Sequence, residues 1–245
     1  MHKHTFIDRY FHSQKELLDF RSSDERDINT LYSYLNNLHS VADKLKDLFD
    51  CNIKNSPEFK ILRLIRNYFH HVGDVDEVRL IAVIPEHVLI SHTQNIIIPL
   101  ETFAKSVKSF IDNNVVEGRK DYQRKMDFVT KELSIIGECF SYLNDILTNM
   151  KMCCDKPSLK LDGVVYELGF DMYKFVYNIT NLIADSCRSI DELACKTVIT
   201  SLDESYTVEN NIGKIDTLYH PGKMKTPVTT MNGMIYPKNS IELAI

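Results

Sequence analysis

The sequence is short of the residues that make turns. It contains only 8 glycines and 7 prolines among 245 residues, which is about 6% together against a usual share of about 12%. This shortage disfavours a collagen-like chain, a disordered chain and an all-β sandwich with its many tight turns. Long helices need few such residues and are therefore favoured.

Long apolar runs are also missing. The N-terminal stretch MHKHTFIDRYFHSQK has no uninterrupted apolar core of the roughly 7–15 residues that a secretory signal requires. The most apolar segment, Val78 to Leu100, is interrupted by charged residues, histidines and a proline, so it falls short of the ~20 apolar residues of a transmembrane helix. We therefore expect a cytoplasmic protein without a membrane span.

The six cysteines have no spacing typical of a metal or redox site. None lies in a CxxC pair, and the neighbours Cys153 and Cys154 could form only a strained bridge. We interpret all six as reduced thiols of a cytosolic protein. No His, Cys or Asp spacing supports a metal site, so we predict neither a metal nor a cofactor. His2 and His4 lie at a terminus that we expect to be mobile.

Apolar residues recur every three or four positions along most of the chain, which is the period of a helix. Two local signals strengthen this pattern: acidic residues at the start of the first helix, and an Asn-Ser-Pro cap at residues 55–57 before the second. Gly137 should weaken the longest helix without ending it. The spacing predicts helices over residues 23–49, 56–71, from 100 onward, 120–152 and 169–187, with a shorter one after Ser189.

The helical period is lost in three places. Residues 78–99 carry short β-branched runs between prolines and predict a loop or a small hairpin, and residues 159–166 suggest a short extended piece. The last forty residues hold three glycines and three prolines, which indicates loops with short strands at most. The predicted fold class is all-α: an antiparallel helical bundle of five or six helices over residues 1–200, with a loop-rich C-terminal appendage over residues 201–245.

The predicted helix 56–71 concentrates basic residues in a chain whose net charge is −5. Its apolar residues fill one face, and the other face carries Lys60, Arg63, Arg66, Asn67 and His70, with His71 at the margin. Arginine offers a fixed fork of donors to phosphate, and histidine exchanges protons near neutral pH. Together they suit phosphodiester cleavage without a metal. The other interpretation is a solvated face whose cations meet the helix dipole.

The segment Arg66-Asn67-Tyr68-Phe69-His70-His71 resembles the signature of the HEPN superfamily, in which four to six residues separate an Arg from a His and the first of them is polar. Four residues separate Arg66 from His71. The resemblance covers about residues 24–150, with residues 78–99 as an irregular insertion. It implies an antiparallel helical bundle that many members use as a metal-independent endoribonuclease in toxin–antitoxin, antiviral-defence and RNA-processing systems. Members commonly form homodimers in which the two motifs meet in one cleft.

The resemblance also implies a role for each residue of the motif. His71 would activate the ribose 2′-hydroxyl or protonate the leaving 5′-oxygen, Arg66 would stabilise the charge on phosphorus, and Asn67 would orient the histidine or the phosphate. The product would be a 2′,3′-cyclic phosphate. His70 faces Arg66 on an ideal helix and is the alternative acting histidine.

Two further expectations concern partners. Arg63 and Lys60 would bind phosphates of an RNA substrate, and an antitoxin or another regulatory protein would be a second partner. Apolar residues of the predicted helix 120–152, among them Phe128 and Ile135, lie off its main stripe and predict a homodimer. Since some HEPN members have lost activity, the alternative function is a catalytically inactive helical bundle that binds a partner protein or a nucleotide.

Overall fold

The structure is a computed structural model that describes residues 3–19, 30–85, 90–139, 155–213 and 228–235. Contacts within the chain define two compact units, and each is built from two separate stretches of sequence. Unit 1 comprises Met1–Arg66 and Lys174–Ile212, and unit 2 comprises Asn67–Tyr173 and Gly213–Ile245. The boundary near residue 200 that the sequence suggests stays a prediction.

The described part of the chain contains eight α-helices. Their bounds are α1 (Thr5–Leu18), α2 (Thr30–Phe49), α3 (Pro57–His71), α4 (Leu100–Asn114), α5 (Tyr122–Gly137), α6 (Tyr173–Arg188), α7 (Asp191–Ala194) and α8 (Thr197–Thr200). Helices α1, α2, α7 and α8 and most of α3 and α6 belong to unit 1. Across the described residues, no helix combines the length and the apolar character needed to cross a membrane.

The strands of the described residues all lie in unit 2 and form three small antiparallel sheets. Their bounds are β1 (Val78–Pro85), β2 (Ile90–Pro99), β3 (Ser158–Leu161), β4 (Val164–Glu167), β5 (Gly169–Asp171), β6 (Val228–Thr230) and β7 (Gly233–Ile235). The sheet orders are β1-β2-β5, β3-β4 and β6-β7. The hairpin alternative for residues 78–99 is therefore confirmed, and so is the extended piece near residue 160. The all-α prediction is right for a chain that is mostly helical and wrong for these strands.

Helices α2 and α3 begin or end as the sequence predicts. Helix α3 starts at Pro57, and the Oγ of Ser56 accepts a hydrogen bond from the Phe59 N–H at 3.2 Å, which is an N-cap. Helix α2 ends at Phe49 and buries its apolar stripe: Leu31, Tyr34, Leu35, Leu38, Val41, Ala42 and Leu45. The three-and-four spacing of the apolar residues predicts Leu48 in the same stripe, but its side chain lies outside the core at 53% exposure. The predicted first turn of this helix lies outside the described residues.

Helix α1 is a feature that the sequence analysis missed. Its buried apolar residues are Phe6, Ile7, Tyr10, Phe11 and Leu17, a helical spacing hidden among charged residues. The expectation of a mobile terminus is wrong for His4, whose Nε2 lies 3.1 Å from Glu192 Oε2 and whose ring meets that of Phe49 edge-on at 5.3 Å. His2 lies outside the described residues.

Two predicted helices are shorter than expected. Helix α5 ends at Gly137, where the Cys139 N–H turns back to the Ile136 carbonyl at 3.1 Å, so the prediction that the helix continues through Gly137 is wrong. Residues 140–152 lie outside the described residues. The predicted helix 169–187 starts only at Tyr173, because residues 169–171 pair with β2 as strand β5.

The carboxylate of Asp171 fixes this transition from strand to helix. It accepts hydrogen bonds from the Asn95 side-chain amide at 2.6 Å, from the Ile96 N–H at 2.9 Å and from the Tyr173 N–H at 3.0 Å. The first two bonds hold β5 to β2, and the third satisfies a backbone donor at the first turn of α6. One side chain therefore joins elements about 75 residues apart in sequence.

Candidate active site

The Arg…His motif lies on the last turns of helix α3. The N–H groups of Val72 and Gly73 both turn back to the Tyr68 carbonyl, at 2.9 and 3.3 Å, and close the helix after His71. The side chains of His70 and His71 are exposed, with their ring centroids 6.2 Å apart. Both histidines are therefore accessible to a substrate.

Arg66 and Asn67 are half-buried, and the division between the two units falls between them. On the side of unit 1, Arg66 Nε donates a hydrogen bond to Asn36 Oδ1 of α2 at 3.3 Å. This bond fixes the orientation of the guanidinium relative to α2. Arg63, which the sequence predicts on the polar face, is also half-buried.

Lys60 departs from the predicted polar face. Its side chain is only 5% exposed, and the four consecutive residues from Phe59 to Leu62 are all buried. The first turns of α3 are thus enclosed by the protein on more than one side, which an amphipathic pattern does not reveal. The phosphate-binding role of Lys60 stays a prediction, although a lysine enclosed in this way does not face solvent.

The structure adds His39 of α2 to the residues around Arg66. The ring of His39 stacks on the Phe59 ring, with centroids 6.0 Å apart and planes 16° from parallel. Its Nε2 lies 3.7 Å from Asp43 Oδ2, and its Nδ1 is buried without a hydrogen-bond partner in the described part of the chain. The side chain keeps 32% of its surface exposed. His39 is therefore a positioned imidazole that solvent still reaches.

Burial and neighbouring cations lower the pKa of His39 below its ordinary value. Burial has the largest effect, and the Asp43 carboxylate opposes it by favouring the protonated ring. The positive charges of Arg66, Lys54 and Arg63 lower the pKa further. Asp43 is itself paired with Lys54, which weakens its hold on the ring. A neutral imidazole beside two arginines has the protonation state of a general base at neutral pH.

Among the residues that the structure describes, no three His, Cys, Asp or Glu side chains come together in a way that could hold a metal ion. The cysteines at positions 51, 139, 187 and 195 of that part of the chain form no disulfide bond.

No protein-family model, no curated protein and no solved structure matches this chain. The resemblance to the HEPN superfamily accordingly depends on the motif at residues 66–71 and on the helix that carries it. It stays a prediction.

Proposed function

We propose that this protein is a metal-independent endoribonuclease of HEPN type that acts in the cytoplasm as a toxin or an antiviral-defence effector. The observation that carries the proposal is the end of helix α3, where two exposed imidazoles follow an arginine held by Asn36. Cleavage of RNA by its own 2′-hydroxyl requires a base, an acid and a group that stabilises charge on the phosphate. Histidine and arginine supply all three near neutral pH.

The proposed reaction proceeds by transfer within the RNA. His71 takes the proton of the 2′-hydroxyl or gives one to the leaving 5′-oxygen, with water making the other proton transfer, while the 2′-oxygen attacks phosphorus and the bond from phosphorus to the 5′-oxygen breaks. Arg66 stabilises the charge that builds on the non-bridging oxygens, and Asn67 orients the histidine or the phosphate. The products are a 2′,3′-cyclic phosphate and a free 5′-hydroxyl. His70 is the alternative acting residue, and Arg63 binds a neighbouring phosphate.

A homodimer is part of this proposal. Phe128 of α5 is 41% exposed and contacts the Phe110 ring at a centroid distance of 6.2 Å, and an aromatic surface of this kind is common at subunit interfaces. Closed two-fold pairs are the commonest oligomers. Light scattering at tens of micromolar should give about twice the chain mass of 28.4 kDa. A single-chain mass would remove the dimer and the shared cleft from the proposal.

Cleavage of single-stranded RNA in EDTA tests the activity. Arg66→Ala and His71→Ala should each lower the rate at least about a hundredfold, because a positioned acid or base and a charge-stabilising donor each contribute about that much. His12→Ala is a matched control, since it removes another exposed histidine, on α1. His70→Ala identifies the acting residue: loss of cleavage in this variant together with retention in His71→Ala would reverse the assignment.

The outcomes separate the proposal from its rivals. Equal cleavage by the wild type, Arg66→Ala and His71→Ala would point to a contaminating nuclease and reject the proposal. Products with 3′-phosphate or 3′-hydroxyl ends and no cyclic precursor at early times would reject the proposed chemistry. Thermal melts of His70→Ala and His71→Ala should match the wild type, because both side chains are exposed.

A catalytically inactive helical bundle that binds a partner protein, such as a toxin or a regulator, is the second candidate. The hydrogen bond from Arg66 to Asn36 favours it, because that bond gives the arginine a structural task in holding α2 to α3. In that case Arg66→Ala should lower the melting temperature, and the wild type should cleave none of the RNAs that a panel of sequences and structures offers.

A further inference from the structure

Helix α1 borders a cleft in unit 1 that takes no part in the proposed ribonuclease site. The cleft has a volume of about 730 Å³ and lies between α1, from Asp8 to Lys15, and the segment 198–206, which contains the end of α8 and the loop after it. Small-molecule sites have volumes of roughly 300–1,000 Å³. The cleft is therefore large enough for a ligand of nucleotide size.

The acidic side chains of this cleft already have partners. Asp8 Oδ2 lies 2.8 Å from the Nζ of Lys196. Asp203 Oδ1 accepts the Ser205 N–H at 2.8 Å, as the first residue of a turn does. The charge of Asp8 is therefore balanced by Lys196, whereas Asp203, whose partner is a neutral backbone group, keeps its negative charge.

Two basic side chains of the cleft differ from Asp8 in that no described residue forms an ion pair with them. Arg9 and Lys15 line the cleft from α1 and are exposed, and neither forms an ion pair or a hydrogen bond with any described residue. Between them His12 has its Nε2 3.1 Å from Glu16 Oε1. Among the described side chains of the cleft, the positive charges of Arg9 and Lys15 therefore exceed the one unbalanced carboxylate, that of Asp203.

The opposite wall offers a fixed apolar and aromatic surface. The guanidinium of Arg188 donates to the carbonyl oxygens of Tyr206 and, at 3.0 Å, of Asp203, which holds the loop in place. The half-buried ring of Tyr206 lies 6.3 Å from the Tyr177 ring. Leu202 lines the same side of the cleft. A flat ligand ring can therefore contact a prepositioned tyrosine.

We propose that this cleft binds a small phosphate monoester with an aromatic body, that is, a mononucleotide. Arg9 and Lys15 supply two positive charges for a phosphate group, and Arg9 supplies the forked donors that suit phosphate oxygens. Tyr206 provides an aromatic face for the base, a contact that every nucleobase can make. The inference does not depend on RNA cleavage, because it uses none of the residues of α3.

Isothermal titration of the full chain with adenosine 5′-monophosphate tests this site. We expect a dissociation constant of about 0.1 mM or tighter, which weakens as salt is raised because exposed charges are screened. The double variant Arg9→Gln/Lys15→Gln should weaken binding at least tenfold. The matched control Lys44→Gln/Lys131→Gln removes the same charge from exposed positions on α2 and α5 and should leave binding unchanged. Arg66→Ala should also leave it unchanged, which separates this cleft from the ribonuclease site.

Three further probes divide the ligand into its parts. Adenosine reports the contribution of the base and inorganic phosphate that of the phosphate group, and each should bind at least tenfold more weakly than AMP. Tyr206→Leu reports the contribution of the tyrosine ring and should bind AMP at least tenfold more weakly than the wild type. Equal binding of adenosine and AMP would overturn the role of the two cations. Equal binding of phosphate and AMP, or full binding by Tyr206→Leu, would overturn the nucleotide. No binding of AMP by the wild type would overturn the site altogether.

Discussion

Replacing Gly169 by alanine tests the packing of β5 against its neighbours in unit 2. A Cβ at this position would lie 2.4 Å from the Cγ2 of Ile97, 3.1 Å from the carbonyl carbon of Thr230 and 3.3 Å from its oxygen. Real Cβ contacts at 2.4 Å do not occur, so at least one of these groups must move. Gly169 is needed here because two neighbours approach its backbone closely.

Displacing either neighbour costs free energy. Ile97 is completely buried, and its branched side chain has little freedom about χ1. The Thr230 backbone forms a bridge with Leu168, and the next N–H, of Met231, donates to the Glu167 carbonyl at 2.9 Å. Overpacking of this kind costs about 1–3 kcal/mol. We expect Gly169→Ala to fall in the upper half of that range and to lower the melting temperature by roughly 4–10 °C.

Gly73→Ala is the matched control. An added Cβ there meets no atom within 4 Å, and its φ is not left-handed. The substitution should therefore leave stability unchanged or raise it by about 0.4–1 kcal/mol, since alanine restricts the unfolded chain. Thermal melts followed by circular dichroism measure both variants. If Gly169→Ala melted together with Gly73→Ala, the close approach of β2 and β6 to β5 would be refuted.

Three other predictions follow from buried and charged groups. Asp171→Ala should lower the free energy of unfolding by about 2–4 kcal/mol in urea titrations, because it strands two backbone donors. Asp171→Asn keeps one acceptor oxygen and should lower it less; equal losses in the two variants would contradict this, because an uncharged acceptor would then replace none of the carboxylate's contribution. Burial raises the pKa of the Cys187 thiol to about 12. Iodoacetamide at pH 8 should therefore modify exposed Cys195 and leave Cys187 unmodified until the protein is unfolded. Modification of both thiols at the same rate would contradict the burial of Cys187. The pKa of His39 is lowered in the folded state, so the unfolded chain binds more protons just below pH 6.5 and stability falls as pH drops through that window. His39→Gln should flatten this pH dependence in urea titrations at pH 5 and 7.5. An unchanged slope would reject the assignment of the pH dependence to His39.

Helix α3 could be predicted from the sequence because its signals are local. Ser56 and Pro57 mark its start, and its apolar residues keep the helical period up to the last turn. Helix α1 carries a similar period, yet its short apolar pairs alternate with charged residues, and only tertiary burial of Tyr10 and its neighbours makes the stripe evident. Local pattern therefore predicted the helix with cap residues and missed the helix without a side-chain cap.

The strands depended on contacts distant in sequence. Residues 169–171 are too few to show a period of two, and their pairing with β2 is fixed by the Asp171 carboxylate at the Ile96 N–H. A sequence read residue by residue assigns this segment to the helix that follows. The burial of Lys60 could not be predicted for the same reason, since it depends on what packs around the first turns of α3 and not on the amphipathic pattern of α3 itself.

His39 shows what a sequence could have indicated about the candidate site. Asn36, His39 and Asp43 recur at spacings of three and four along α2, so they lie on one side of that helix. The spacing places them together but does not say what they face. The hydrogen bond to Arg66 and the stacking on Phe59 are tertiary, and they alone connect this polar row to the basic helix α3.

The bond between Arg66 and Asn36 allows the two candidate functions to be separated in one comparison. Asn36→Ala removes the same hydrogen bond as Arg66→Ala but keeps the guanidinium. If the arginine only joins α2 to α3, both variants should lose similar stability, about 1 kcal/mol, the double variant should lose no more than either, and RNA cleavage should be absent or unchanged in all three. If Arg66 acts on the phosphate, Arg66→Ala should lose cleavage at least a hundredfold, while Asn36→Ala retains most of it because the charge is still present and only its orientation is relaxed. Similar losses of cleavage in both single variants, with matching losses of stability, would refute a direct action of Arg66, because the guanidinium that remains in Asn36→Ala would then contribute nothing to the reaction.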